Sequence, residues 1–218
     1  MAATPDPVEP ATATPPTQDK RIFGVLPNYR TAEGSQPYQP ITAKRKFYIA
    51  MKDSFDWPNY LLGGAFACLY QLEDSNPSFG QGMKGYAHRY VTAYADQVIG
   101  NMLTEGALPA LLHDDPRYFR IGEGSKWHRA GYAATRIFVT HTDKGGTRFN
   151  TSEVMGNAMT ASIANAYYPD NRSASDTFQR LAVQLGTDSF SNVLKEFWPD
   201  IKRKYWHKPG HGQSATGD

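Results

Sequence analysis

From about residue 40 to residue 200, apolar residues recur every three or four positions, and the pattern breaks at proline, glycine and asparagine. That period belongs to helices with one packed face. Thr42 is placed to cap a helix that runs to Phe55, and Asp56 to cap a second containing Tyr60 to Leu72. Asn76-Pro77 opens the longest segment, which reaches Leu112 and carries Tyr86, Tyr90 and Tyr94 as one stripe. Pro109 lies inside that segment and should kink or end it. Ser125 caps a fourth helix to about Thr140, and Asn150 with Glu153 opens a fifth to Tyr168 in capping-box spacing. Ser175 caps a sixth, to about Trp198. β-branched residues are scattered, and the one hairpin-like stretch is Asp143-Lys144-Gly145-Gly146. The pattern predicts an all-α protein, a compact bundle of about six helices.

Small residues crowd these helices: Gly63, Gly64, Ala65 and Ala67 in the second, Gly156, Ala158, Ala161 and Ala164 in the fifth. An interior glycine costs a helix about 1 kcal/mol against alanine, so repeated glycines point to close backbone approach between helices.

The 218 residues suit a single domain, predicted over residues 21–204. Residues 1–20 read as a disordered Pro/Thr/Ala-rich leader and residues 205–218 as a disordered tail. No signal peptide is present in the chain as given, and a Pro/Thr/Ala-rich spacer often follows a removed one, which favours the periplasm or cell envelope over the cytoplasm. One cysteine excludes an internal disulfide and any multi-cysteine zinc site, and Cys68 reads as a buried inert thiol. A net charge of +2 gives no case for nucleic-acid binding.

Three segments, Arg21-Ile22-Phe23-Gly24-Val25-Leu26-Pro27-Asn28-Tyr29, His113-Asp114-Asp115-Pro116-Arg117-Tyr118-Phe119-Arg120 and Glu196-Phe197-Trp198-Pro199-Asp200-Ile201, carry a resemblance. Through them the chain resembles a group of uncharacterised bacterial exported helical proteins over roughly residues 20–204. The resemblance implies an envelope location. No activity attaches to that group, so it implies no site residue.

Residues 80–85 match GxGxxG, but a helix and a turn precede them instead of the strand a dinucleotide site needs. No metal or cofactor motif is present; neither is expected. Glu105 is the only formally charged residue between Gln97 and Leu112. With His113 and Asp114 it makes an acid–base or metal-assisted hydrolase the alternative reading. The preferred reading of Glu105 is structural. Asn101, Glu105, Arg136, Asn157, Asn192 and Glu196 all stand among apolar neighbours and are expected to form a polar network pinning the helices, with Arg136 as the partner of Glu105. Lys202, Arg203, Lys204, Tyr205 and Trp206 interleave cations with aromatic rings, a composition suited to an anionic membrane surface or an envelope protein partner. The expectation is a non-enzymatic helical envelope protein that binds a membrane or a protein.

Overall fold

The computed structural model describes residues 21–23 and 26–206, so the expected leader and most of the expected tail lie outside the described residues. Helices dominate: α1 (Ala43–Phe55), α2 (Trp57–Leu72), α3 (Gly82–Asn101), α4 (Leu108–Leu112), α5 (Lys126–Thr135), α6 (Thr151–Ala164) and α7 (Ala174–Trp206). The strictly all-α expectation is corrected by short strands: β1 (Arg21–Ile22), β2 (Leu26–Pro27), β3 (Thr31–Glu33), β4 (Asp114–Asp115), β5 (Tyr118–Arg120), β6 (Val139–Thr142) and β7 (Thr147–Phe149). Strands of two to four residues are too short to show a period of two. β1 pairs antiparallel with β2, β3 runs parallel to β5, and β4, β6 and β7 form an antiparallel sheet. The fourth helix therefore stops at Thr135, and Val139–Thr142 turns into a hairpin around Asp143–Gly146.

Capping chemistry sets most helix starts. The Thr42 and Ser125 side chains accept from the Arg45 and His128 amides, and Asn150 accepts from Glu153. Asp56 does not cap α2; both its oxygens take hydrogen bonds from Arg21. The sixth expected helix begins two residues early, because Ser173 and Asp176 form a reciprocal capping box. It also passes through Pro199 and continues to Trp206, so Tyr205 and Trp206 belong to α7 rather than to a tail.

Pro109 does not end its helix. The chain widens over Met102–Ala107 into a π-helical segment, in which the Leu108 amide donates to the Leu103 carbonyl, and then runs on as α4. The wider turn absorbs the ring that would clash in an ordinary helix. The close approach expected from small residues is realised here. A Cβ at Gly156 would lie 2.6 Å from Thr104 Cγ2 and 3.2 Å from its backbone nitrogen, so only glycine lets α6 rest on the π segment.

The interior is unusual in composition. Among the described residues the buried apolar side chains are scattered, and Phe79, Ala164 and Tyr168 form a small cluster. Buried charged residues include Arg30, Lys46, Asp53, Arg89, Glu105, Asp114, Asp115, Arg129, Glu153, Lys195 and Glu196.

Candidate functional site

Glu105 sits on the π segment at 4% exposure, as its apolar neighbours predicted. Its cation is Arg30, not Arg136: Arg30 Nη1 donates to Glu105 Oε1 at 2.9 Å. Arg30 immediately precedes β3, and its carbonyl accepts from the Tyr118 amide at 2.7 Å, so the β3–β5 pairing delivers the guanidinium to the interior. Arg30 also lies 3.9 Å from Glu153 Oε2. Asp53 of α1 and Lys195 of α7 complete a buried charge centre drawn from five parts of the chain. The side chain of Glu153 turns to this centre instead of closing the capping box of α6.

The centre holds more acid than its cations answer. Glu105 Oε2, Glu153 Oε1, Asp53 Oδ1, Arg30 Nε and Asn192 Oδ1 are buried without a hydrogen-bond partner. Burial, then the nearby Asp53 carboxylate, pushes the Glu105 carboxyl well above its ordinary range against the pull of Arg30. Burial likewise raises Asp53 and carries Glu153 up to about 7. Burial, with Arg30 beside it, lowers Lys195 to about 8. Burial also works against the charge on Arg30, but Glu105 and Glu153 outweigh it and keep it cationic.

The six polar residues expected to share one network divide among several. Asn101 donates to Ser54 Oγ at 3.3 Å, and Asn157 to Asp188 Oδ2 at 3.1 Å. Asn192 is buried in α7, near Lys195 in sequence. Arg136 lies over the Tyr132 ring and meets His141 Nδ1 at 3.0 Å. Arginine has no acceptor atom, so that nitrogen of His141 is the acceptor. Burial first, then Arg136, lowers the His141 pKa, in keeping with a neutral ring. Glu196 forms a second buried centre. It accepts from Tyr118 at 2.7 Å, Gly122 N at 2.9 Å, Ile121 N at 3.2 Å and Arg129 Nε at 2.8 Å.

The residues of the hydrolase reading take separate partners. The His113 ring is 80% exposed and lies 3.6 Å from Asp143. Asp114 is paired with Arg148 at 2.7 Å and accepts from Ser152 at 2.6 Å. His113 itself ends α4 in the left-handed conformation. The glycine-rich stretch from Gly80 makes a helix start, where Gly80 carbonyl oxygen accepts from Arg89 at 2.6 Å.

The outer surface was not legible in advance. α1 is sided in reverse: Lys46, Asp53 and Ser54 are buried with Ile49 and Ala50, while Phe47, Tyr48, Met51 and Phe55 are exposed. α2 has no Asp, Glu, Lys, Arg or His in its 16 residues. One side meets the aromatic stripe of α3, where Tyr86 and Tyr90 ring atoms approach Gly64 and Gly63. Leu61 at 67%, Leu72 at 83%, Phe66, Leu69 and Tyr70 stand out from it. Cys68 is exposed on the same helix, correcting the buried-thiol expectation. Lys44, Arg45 and Lys52 are the exposed charges of α1; the Arg45 guanidinium and the Lys52 ammonium lie 4.9 and 5.8 Å from the Tyr48 ring centre. Lys202, Arg203, Lys204 and Tyr205 are exposed on the last turns of α7, where Arg203 pairs with Asp200 at 3.1 Å. Among the described residues, no helix is long and apolar enough to cross a membrane.

No family model, curated protein or solved structure matches the chain.

Proposed function

We propose that the protein is a non-enzymatic helical protein of the bacterial cell envelope that binds an anionic membrane surface through the exposed face of α1 and α2. The observation that carries this reading is the reversed siding of α1 beside an uncharged, outward-facing α2. Soluble monomers rarely expose contiguous apolar patches of more than a few hundred Å². Large apolar side chains flanked by aromatic rings and cations suit the boundary between headgroups and acyl chains. Lys44, Arg45 and Lys52 supply charge of the sign anionic lipid attracts, and α1 exposes no acid. Lys202, Arg203, Lys204 and Tyr205 add a second basic element, and Trp206 follows them in the sequence. The envelope location draws on the composition of the first twenty residues and on the resemblance to exported proteins.

Acid–base catalysis at Glu105 is the weaker reading, because the carboxyl is buried and lines neither the cleft between α6 and α7 nor the cavity of about 20 Å³ beside Arg30, Glu153 and Asn192. The test is co-sedimentation with vesicles. Vesicles rich in phosphatidylglycerol should bind the full chain, and phosphatidylcholine vesicles should bind it less. Combined Leu61→Glu, Phe66→Glu and Leu69→Glu replacement should abolish binding with the thermal midpoint held. Lys202→Ala, Arg203→Ala and Lys204→Ala should lower it only at low salt. No binding to anionic vesicles at low salt, or unchanged binding by the α2 variant, overturns the reading. Self-association lost in the α2 variant without vesicle binding would assign the face to a protein partner instead.

A further inference from the structure

A cleft of about 370 Å³ lies between α6 and α7, with Asp96 of α3 in its lining. It is remote in sequence from the α1–α2 face. Its volume is in the range of small-molecule sites. The lining divides into groups already engaged and groups left open. Every carboxylate at the cleft is engaged. Asp96 accepts from the Tyr167 and Tyr168 hydroxyls, the latter at 2.8 Å. Asp176 accepts from Ser173 within the helix cap. Neighbouring Asp188 accepts from Asn157 at 3.1 Å and from Gln184 at 3.2 Å.

Arg180 is the open group. Its guanidinium lies 4.2 Å from the Tyr168 ring centre, and its one hydrogen bond is a long 3.4 Å contact from Nη2 to the Asn171 carbonyl. Nη1 has no partner. By contrast Arg21, Arg30, Arg89, Arg117, Arg120 and Arg129 each reach a carboxylate in the same molecule. A guanidinium lying over an aromatic face can still offer N–H groups at its edge to an oxyanion. Asn157 and Gln184 spend amide hydrogens on Asp188, which leaves their carbonyl oxygens as acceptors for hydroxyl donors. Ala161, Ala164 and Val183 supply an apolar wall for a carbon skeleton.

We propose that this cleft binds a small hydroxylated molecule bearing one oxyanion group, a sugar acid or a polyol phosphate, with Arg180 as the oxyanion partner. The ligand chemistry is shared by free solutes and by the headgroup of a glycerophospholipid, and the test separates them. D-glucuronate and glycerol 3-phosphate are titrated into the full chain by calorimetry, and vesicles with and without phosphatidylglycerol are tested for sedimentation. Saturable binding of either solute, weakened at least tenfold in Arg180→Gln and in Val183→Trp, supports a soluble ligand. Val183→Trp fills the cleft while Arg180 itself is retained, so the proposal stays testable where Arg180→Gln unfolds. Binding of neither solute, together with phosphatidylglycerol sedimentation that both variants weaken and the α2 variant spares in part, supports the headgroup. The proposal is overturned if neither solute binds and vesicle binding is unchanged in both variants. It is also overturned if a solute binds equally well to both variants.

Discussion

Glu196 and Glu105 are both buried carboxylates facing a buried arginine, and they differ in how completely they are answered. Glu196 receives four donors spread over both its oxygens: a tyrosine hydroxyl, two loop amides and Arg129. Glu105 receives one hydrogen bond, from Arg30, while its other oxygen faces no donor. Asp53 and Glu153 crowd it with like charge. The β3–β5 pair separates the two regions, since its Arg30 end serves one and its Tyr118 side chain serves the other. Full satisfaction makes Glu196 a joint that fixes α7 against β5 and α5. Partial satisfaction makes the Glu105 centre a place where charge is costly and protons are held.

The largest expected effect is at the joint. Glu196→Ala takes the acceptor from Arg129 Nε, which keeps Asp200 at 2.6 Å, and leaves the Tyr118 hydroxyl and the Ile121 and Gly122 amides to find other acceptors in the interior. Breaking a buried, hydrogen-bonded pair from one side costs about 3–5 kcal/mol. Equilibrium denaturation should show a loss of about that size; a loss under about 1 kcal/mol would erase the contrast.

Next comes Arg30→Met, which removes the main cation from the acid-rich centre. At pH 8 the stranded carboxylates should cost about 3 kcal/mol. At pH 5 the loss should shrink, because Glu105 and Glu153, raised by burial, can take up protons. Arg129→Met serves as the reference: its loss should change little between the same two pH values. Equal pH dependence of the two variants would count against the distinction.

A third effect is the pH profile of the wild-type chain. The folded state binds the Glu153 proton more tightly than the unfolded chain, because its pKa rises from 4.5 to about 7. Its cost is therefore absent below the unfolded value, grows between 4.5 and about 7, and is complete above that. Lys195 behaves oppositely: lowered from 10.5 to about 8, it is costly below 8 and relieved as pH rises toward 10.5. The two costs overlap between 7 and 8, where the centre contributes least to stability. Glu153→Gln should therefore gain over wild type from pH 5 to pH 8, by on the order of 2 kcal/mol. A difference that stays flat across that range would show that Glu153 titrates normally.

How much of this was legible depends on distance along the chain. Caps at Thr42, Ser125 and Asn150 were readable because donor and acceptor lie three residues apart. The interior placement of Glu105 was readable from its apolar neighbours. Its partner was not, since Arg30 comes from a short segment 75 residues away, with no period of its own. Chain adjacency favoured Arg136, but the turn into β6 places that side chain at His141. The π segment left only one trace, the proline at 109 inside a helical pattern. The outward rings of α1 were hidden because either side of that helix reads as apolar until Lys46 and Asp53 are known to be the buried ones.

The smallest effect sharpens the comparison most, because it applies one substitution to both centres. Glutamine matches glutamate in shape but replaces one acceptor oxygen with a donor. At position 196 both oxygens are in use, so Glu196→Gln turns an N–H₂ either toward Arg129 and the Gly122 amide or toward Tyr118 and the Ile121 amide, and the hydrogen bonds at that oxygen are disrupted. At position 105 one oxygen suffices for Arg30, and the second is the unpartnered Oε2. Glu105→Gln keeps the hydrogen bond and withdraws one negative charge from a site shared with Asp53 and Glu153. The expected change is within about 1 kcal/mol of wild type and toward greater stability at pH 8, where the excess acid is ionised. Denaturation of both variants in one buffer decides it. If Glu105→Gln loses as much as Glu196→Gln, Glu105 is as fully engaged as Glu196, and the two centres are the same kind of joint.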